Sequence, residues 1–218
     1  MRVMMIPEAG LADEAAFSQA CVRLAARLSP LRYTHSLGVA QQAAALAERY
    51  GADVWRARWA GLLHDVAREW SAQDLIEGAR ELGIGVDYLV EMAPMACLHA
   101  EVGAECAKRE FGVEDEGVLV AIAAHTVGRE QMSLLEKVVF LADAIEPNRP
   151  SAPYIEELRE LAGKDLDKAC LRAYDHTLDY LLRTRQMIHP VAVRGRNWLI
   201  YEQRLAARAK EQRGEAQA

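Results

Sequence analysis

Six residues of this 218-residue chain, all of types that hold metal ions, form a candidate ligand set: His35, the adjacent pair His64-Asp65 in WAGLLHDVAR, His99, His125 and Asp143. Four imidazoles and two carboxylates exceed what a tetrahedral structural zinc site uses. They suit iron, manganese or a two-metal centre better, and so point to a metallohydrolase. On a regular helix His64 and Asp65 project about 100° apart, so both reach one ion only where that helix faces a cleft.

Each candidate has a plainer reading. A lone imidazole on an apolar helix face, such as His35 beside Val39, Gln42 and Leu46, is satisfied by one backbone carbonyl. His64 gains weight from its partner carboxylate and from Ala57, Ala60 and Gly61, small residues on its side that let another helix come close. Asp143, in KVVFLADAIE on a face with Val139 and Phe140, would cost several kcal/mol if buried without a partner. It is therefore either exposed or meets a cation. His99 and His125 could bind a second metal or contact substrate phosphates, and spacing leaves both open. His176 and His189 lack comparable company and read as structural.

The guanidinium fork matches phosphate oxygens in pairs. Arg32 lies three residues before His35, Arg68 one turn after His64, Arg129 with Thr126 in the loop following His125, and Arg149 just past Asp143. These are the candidate substrate contacts, with Arg194 and Arg196 weaker candidates for the rim. Metal binding requires neutral imidazoles, so ion affinity is expected to fall as pH drops through about 5 to 6.

Composition sets the frame. Lys+Arg 26 against Asp+Glu 32 gives a net charge of -6, the wrong sign for a protein held to nucleic acid by its overall field. The four cysteines, at 21, 97, 106 and 170, include no C-x-x-C pair and read as small apolar residues of a reduced cytoplasmic protein. No apolar run is long enough for a membrane span or a signal-peptide core.

Alanine, leucine, glutamate and arginine at helical period dominate beyond residue 11, and strands have little support. The expected elements are a helix over 12–28 stopped by Ser29-Pro30, one over 35–50 capped by Thr34, and one from Asp53 running through His64-Asp65. Ser71 caps a helix to Leu82; helices follow near 87–92, 95–110 and 115–125. Ser133 caps 134–146, Pro147 and Pro150 break it, and helices over 153–161, 165–187 and 193–208 complete the chain. The picture is a single compact all-α bundle spanning 12–208, with residues 1–11 an extension and 209–218 a flexible tail.

The order His35, His64-Asp65, His99, His125, Asp143 resembles the HD-domain phosphohydrolase superfamily, with its H…HD…D ligands. More narrowly, RYTHSLGVA, GLLHDVAR, LHAEVGA, the string from His125 to Arg149 and the closing IHPVAVRGRNWLI are similar to the YqeK family, the HD-type symmetrical bis(5′-nucleosyl)-tetraphosphatases. The resemblance runs from about residue 20 to 205. It implies an all-α HD fold, an iron centre of one or two ions, with manganese or another divalent metal also suitable, and cleavage of diadenosine tetraphosphate into two ADP. Carried onto this chain, it makes His35, His64, Asp65 and Asp143 metal ligands, with Asp65 orienting a metal-bound water. His99, His125, Arg32, Arg68, Thr126, Arg129 and Arg149 would then surround the phosphates. The substrate would be a dinucleoside polyphosphate, and the family suggests a homodimer. Glu101 and Glu130 stand where the family usually has proline. The competing readings are another HD nucleotide phosphohydrolase or phosphodiesterase, or a nucleotide-binding module without turnover.

Overall fold

The computed structural model describes Met5, Ile6 and residues 10–215. Among these, twelve helices and no sheet are found. They are α1 (Glu14–Ala25), α2 (Pro30–Tyr50), α3 (Val54–Leu63), α4 (Ala72–Glu81), α5 (Tyr88–Met92), α6 (Pro94–Cys97), α7 (His99–Phe111), α8 (Glu116–Ala124), α9 (Leu134–Ile145), α10 (Pro153–Ala162), α11 (Leu166–Arg183) and α12 (Pro190–Glu215). None is long and apolar enough to cross a membrane.

The helix starts follow local chemistry. Asp53, Ser71, Asp115 and Ser133 each accept a hydrogen bond from a backbone N–H of the first turn, and Ser133 forms a reciprocal capping box with Glu136. One start differs from expectation. α2 begins at Pro30 under a Ser29 cap, because proline at the first helical position gives up only an N–H that would lack a partner anyway. Thr34 is already inside the helix, its hydroxyl donating to the Pro30 carbonyl at 2.9 Å. The expected helix over 95–110 is two, α6 and α7, so that His99 opens the second.

α3 is the central strut, packing against α2, α8 and α9. The approach to α2 depends on Gly61, where a Cβ would stand 2.8 Å from the Ala40 Cα. On one side of α3 the core gathers around Trp59, Leu62, Leu63 and Ile122; on the other it gathers around Leu141, Ile145, Leu158 and Tyr174. The candidate site lies between these two apolar masses.

Both chain ends depart from the expected boundaries. Ile6 pairs with Val113 in an isolated bridge, Ile6 and Leu11 are buried, and the Leu11 carbonyl accepts from the Trp59 indole at 2.9 Å. Ile6 and Leu11 of the N-terminal segment thus belong to the core around Trp59, while Met5 is exposed. At the other end α12 continues to Glu215, because the run RLAARAKEQR consists of strong helix formers. Residues 1–4, 7–9 and 216–218 of the expected extension and tail lie outside the described residues.

Candidate metal centre

Four histidines reach one point from four helices, and the backbone explains their orientation. His64 follows the last residue of α3, and its Nδ1 lies 2.8 Å from the Gly61 carbonyl. His125 repeats the arrangement after α8, with Nδ1 2.7 Å from the Ile122 carbonyl. His99 Nδ1 lies 2.8 Å from the Met95 carbonyl. In each case a carbonyl three or four residues upstream takes the Nδ1 proton and leaves Nε2 bare toward the centre. His35 uses a carboxylate for the same purpose: its Nδ1 meets Glu146 Oε1 at 3.2 Å.

Asp65 sits where these rings converge, one oxygen to each side. Its Oδ2 is 3.3 Å from His64 Nε2 and 3.7 Å from His35 Nε2; its Oδ1 is 3.4 Å from His99 Nε2 and 3.7 Å from His125 Nε2. The expectation of a continuous helix through His64-Asp65 does not hold. α3 ends at Leu63, and residues 64–70 follow in tight turns with backbone bonds three residues apart, such as Arg68 N to Asp65 O at 2.9 Å. That tightening swings Asp65 toward the groups on both sides. Asp143, from α9, completes the first flank at 3.1 Å from His35 Nε2 and 3.9 Å from His64 Nε2.

The donor set fits an ion. Metal–ligand bonds of about 2.1 Å place neighbouring donors roughly 3.0–3.4 Å apart; the donor pairs here stand 3.1–3.9 Å apart, within small side-chain shifts of that spacing. His35 Nε2 and His64 Nε2 are buried without a hydrogen-bond partner although carboxylate oxygens stand near both. Donors that converge without bonding one another leave a place for a cation. Two overlapping groups meet this condition, His35–His64–Asp143 and His64–Asp65–His125.

Electrostatics separates the two flanks. Burial alone would raise the Asp65 and Asp143 carboxyls, but the adjacent histidines outweigh it and hold both well below the usual carboxylate range. Burial disfavours a charged His64, yet Asp65 and then Asp143 push it up to about 8. His125 goes the other way, to about 3, because burial is reinforced by the neighbouring charges of His64 and His99.

The remaining candidates divide. Arg32 Nη1 bonds Asp65 Oδ2 at 2.7 Å, and Arg149 bonds both the carboxylate and the carbonyl of Asp143, at 2.9 and 2.8 Å. Thr126 Oγ1 lies 3.0 Å from His125 Nε2 and 3.2 Å from His99 Nε2. Arg68 is turned to the Met95 carbonyl at 3.2 Å, beside the backbone that orients His99. Arg129 forms a two-pronged pair with buried Glu136 at the start of α9, and Arg196 pairs with Asp175. Neither of these two guanidiniums is turned to the centre. His176 stacks on Tyr154, ring centroids 3.3 Å apart.

The sequence pattern did not single out Glu146, which is 2% exposed. It precedes Pro147 and is therefore extended, at φ −51° and ψ 153°, and this turns its side chain back onto His35 and the Asn148 N–H at 2.6 Å. Gly38 opposite is small of necessity: a Cβ there would collide with Glu146 Oε2. The available signal was a carboxylate three residues after Asp143 and directly before a helix-ending proline.

The model of the HD domain matches residues 32–148, which include all six candidate metal ligands. The chain is 40% identical over 182 residues to the symmetrical bis(5′-nucleosyl)-tetraphosphatase of Bacillus subtilis, covering 83% of this chain and 95% of that one. It is 41% identical over 177 residues to the protein of the same description from Halalkalibacterium halodurans, covering 81% and 93%. A crystal structure from Clostridium acetobutylicum, described as a predicted HD superfamily hydrolase involved in NAD metabolism, superposes with a TM-score of 0.82 at 37% identity, covering 85% of this chain and 97% of that one. An all-helical scaffold, an H…HD…D donor set at metal-ligand spacing and these extended identities agree: the chain belongs to the HD-domain family, among the symmetrical bis(5′-nucleosyl)-tetraphosphatases.

Proposed function

We propose that this protein is a metal-dependent hydrolase that cleaves diadenosine tetraphosphate into two ADP in the cytoplasm, and that its ligand set would hold two divalent ions, iron foremost. His35, His64, Asp143 and Asp65 would hold the first ion; His99, His125 and the other Asp65 oxygen would hold the second. The observation that carries the two-ion reading is the Nδ1 bonding of His99 and His125. With Nδ1 facing a carbonyl, each Nε2 is a bare acceptor, and the two stand 3.1 Å apart. Bare nitrogens cannot donate to phosphate oxygens but can share a cation.

A bound ion there supplies an electrophile for a phosphate oxygen and lowers the pKa of a coordinated water from about 15.7 towards 7. Asp65, whose carboxylate is kept ionised by its histidine neighbours, would orient the attacking water, whose proton passes to solvent as the water reacts as hydroxide. The water oxygen bonds to one central phosphorus, and the central bridging oxygen departs with the second ADP. Arg32, bonded to Asp65, and Arg149, bonded to Asp143, can exchange part of their bonding to the phosphate chain as charge builds. The leaving ADP is already a good anion, so a strong general acid is not needed.

A single turnover in oxygen-18 water, resolved by chromatography, tests the reaction, and elemental analysis tests the centre. The expected result is label in ADP and two ions per chain. ATP plus AMP as products would overturn the symmetrical reading, and one tightly held ion in fully active protein would overturn the two-ion reading.

A further inference from the structure

α9 stops at Ile145, and its last carbonyls need donors that the chain directly ahead cannot supply in full, because Pro147 has no N–H. Two arginines make good the deficit. Arg149, in the turn itself, bonds the Asp143 carbonyl at 2.8 Å. Arg159, in the last turn of α10, bonds two successive carbonyls: Ile145 through Nε at 3.2 Å and Glu146 through Nη2 at 2.9 Å. Its third nitrogen, Nη1, bonds Glu156 at 2.8 Å. The turn held in this way carries three groups that face the centre or its supports. Glu146 Oε1 meets His35 Nδ1, Arg149 meets the Asp143 carboxylate, and the Asn148 amide donates to the Thr34 carbonyl, one residue before His35.

From this chain of contacts we infer that Arg159 is a positioning residue for the metal centre, acting through Glu146 on His35, an inference that rests on the metal-centre reading above. Glu146 has left the helix, at φ −51° and ψ 153°, so no helical ladder fixes its peptide. What fixes it is Arg159, together with the Arg149 N–H at 3.1 Å from the same carbonyl. A guanidinium fork that meets two neighbouring carbonyls sets both the place and the rotation of the peptide between them, which a point charge cannot do. That rotation decides the direction from which the buried Glu146 side chain reaches His35, and the His35 ring in turn aims Nε2 at the centre. Arg159 has no other route to the chemistry. It lines a recess of about 440 Å³ with Gln42, Leu46, Arg49, Ile145 and Pro147, none of them a candidate ligand or substrate contact.

Calorimetric titration of metal-depleted protein with manganese or ferrous ion reads the link. Arg159→Ala should weaken the first ion about tenfold, the lower end of the range for outer-shell partners, and leave the second at wild-type affinity. Arg159→Lys keeps the charge but serves one carbonyl, so it should weaken the first ion by a smaller factor, and it carries the test if the alanine variant does not fold. Because the two residues act in series, adding Arg159→Ala to Glu146→Gln should cost less than about threefold beyond Glu146→Gln alone. Arg49→Ala is the control for a merely stabilising arginine. It removes a bond of the same chemistry, Nη1 to the Gly163 carbonyl at 2.8 Å, where Tyr50 still holds the Ala162 carbonyl, and both ion affinities should stay at wild type. A second readout needs no ion: the long-range proton–nitrogen NMR signals of the His35 ring in metal-depleted protein should shift the same way in Arg159→Ala and Glu146→Gln and stay in place in Arg49→Ala. Wild-type affinity for the first ion in either Arg159 variant, equal weakening of both ions, or additive losses in the double variant would overturn the inference. Should the wild-type protein take up no ion beside His35, the metal reading falls, and the ring signals still decide: a His35 signal unmoved by Arg159→Ala would remove Arg159 from this role.

Discussion

The two flanks of Asp65 are built from the same imidazoles and differ in what surrounds them. The Oδ2 flank joins His35 and His64 to Asp143, backs His35 with buried Glu146, and has Arg32 and Arg149 at its edge. The Oδ1 flank joins His99 and His125 to the Thr126 hydroxyl and draws its other hydrogen bonds from backbone carbonyls. One is rich in carboxylate, and the other depends on neutral nitrogen. Carboxylates bring charge to a divalent ion, whereas imidazoles bring only lone pairs, so the first flank should hold its ion more tightly and the second should exchange more freely.

Removing the shared carboxylate has the largest expected effect. Asp65→Ala should lose both ions by elemental analysis and about a thousandfold in kcat/KM, about 4 kcal/mol, with helix content by circular dichroism near wild type. By contrast, His125→Ala should lose one ion per chain and keep the other. Retention of two ions by Asp65→Ala, or loss of both by His125→Ala, would erase the distinction between flanks. Arg149→Ala should lower kcat/KM by about 2–3 kcal/mol, the scale of charge-assisted hydrogen bonds. Because Arg149 also bonds Asp143, its loss should reach the ion on that flank and leave the His99–His125 flank unchanged, which stepwise metal titration would resolve. Glu146→Gln keeps the shape of the His35 support and removes its charge. About a ten- to hundredfold weaker first ion, with the second unaffected, is expected from an outer-shell partner of this kind.

The all-α scaffold and the six candidate residues that the fold brings together were legible in the sequence because they are local statements. Caps at Asp53, Ser71 and Ser133 and the break at Pro147 are written within a few residues of where they act. What escaped depends on three-dimensional approach. The tight turns after Leu63, which let Asp65 serve both flanks, follow from α3 being squeezed against α2 at Gly61, a contact between distant residues. Arg129 looked like a phosphate ligand from its neighbours in sequence, but the fold spends it on Glu136, a residue that capping places under its guanidinium. Glu146 was hidden for the opposite reason: its partner, His35, lies 111 positions away. The pH window also moved. Ordinary imidazole values put proton competition near 5 to 6, whereas the carboxylates facing His64 carry its own competition up towards 8.

That displacement gives the smallest and most selective prediction, one for metal-depleted protein. His64 titrates near 6.5 in the unfolded chain and about 8 in the fold. A group with a raised folded pKa adds stability that is fully present below its unfolded pKa and is lost as pH rises through the folded one. Between pH 6.5 and 8 the metal-free protein should therefore lose at most about 2 kcal/mol, or about 4–8 °C in Tm for a chain of this size. The other buried groups whose shifts are resolved act outside that interval. His125, depressed to about 3, and the two low-titrating carboxylates lose their contributions only on the acid side of 6.5, and the raised thiols of Cys106 and Cys170 act only above about 8.5. Filling the first flank replaces the proton on His64 by an ion, so the metal-loaded protein should show a flat Tm over the same interval. The check is thermal melting of loaded and chelator-treated protein in half-unit steps from pH 6.5 to 8.5. An apo Tm that stays level while the loaded one falls would remove His64 from the charge-rich flank, and the asymmetry of the two flanks with it.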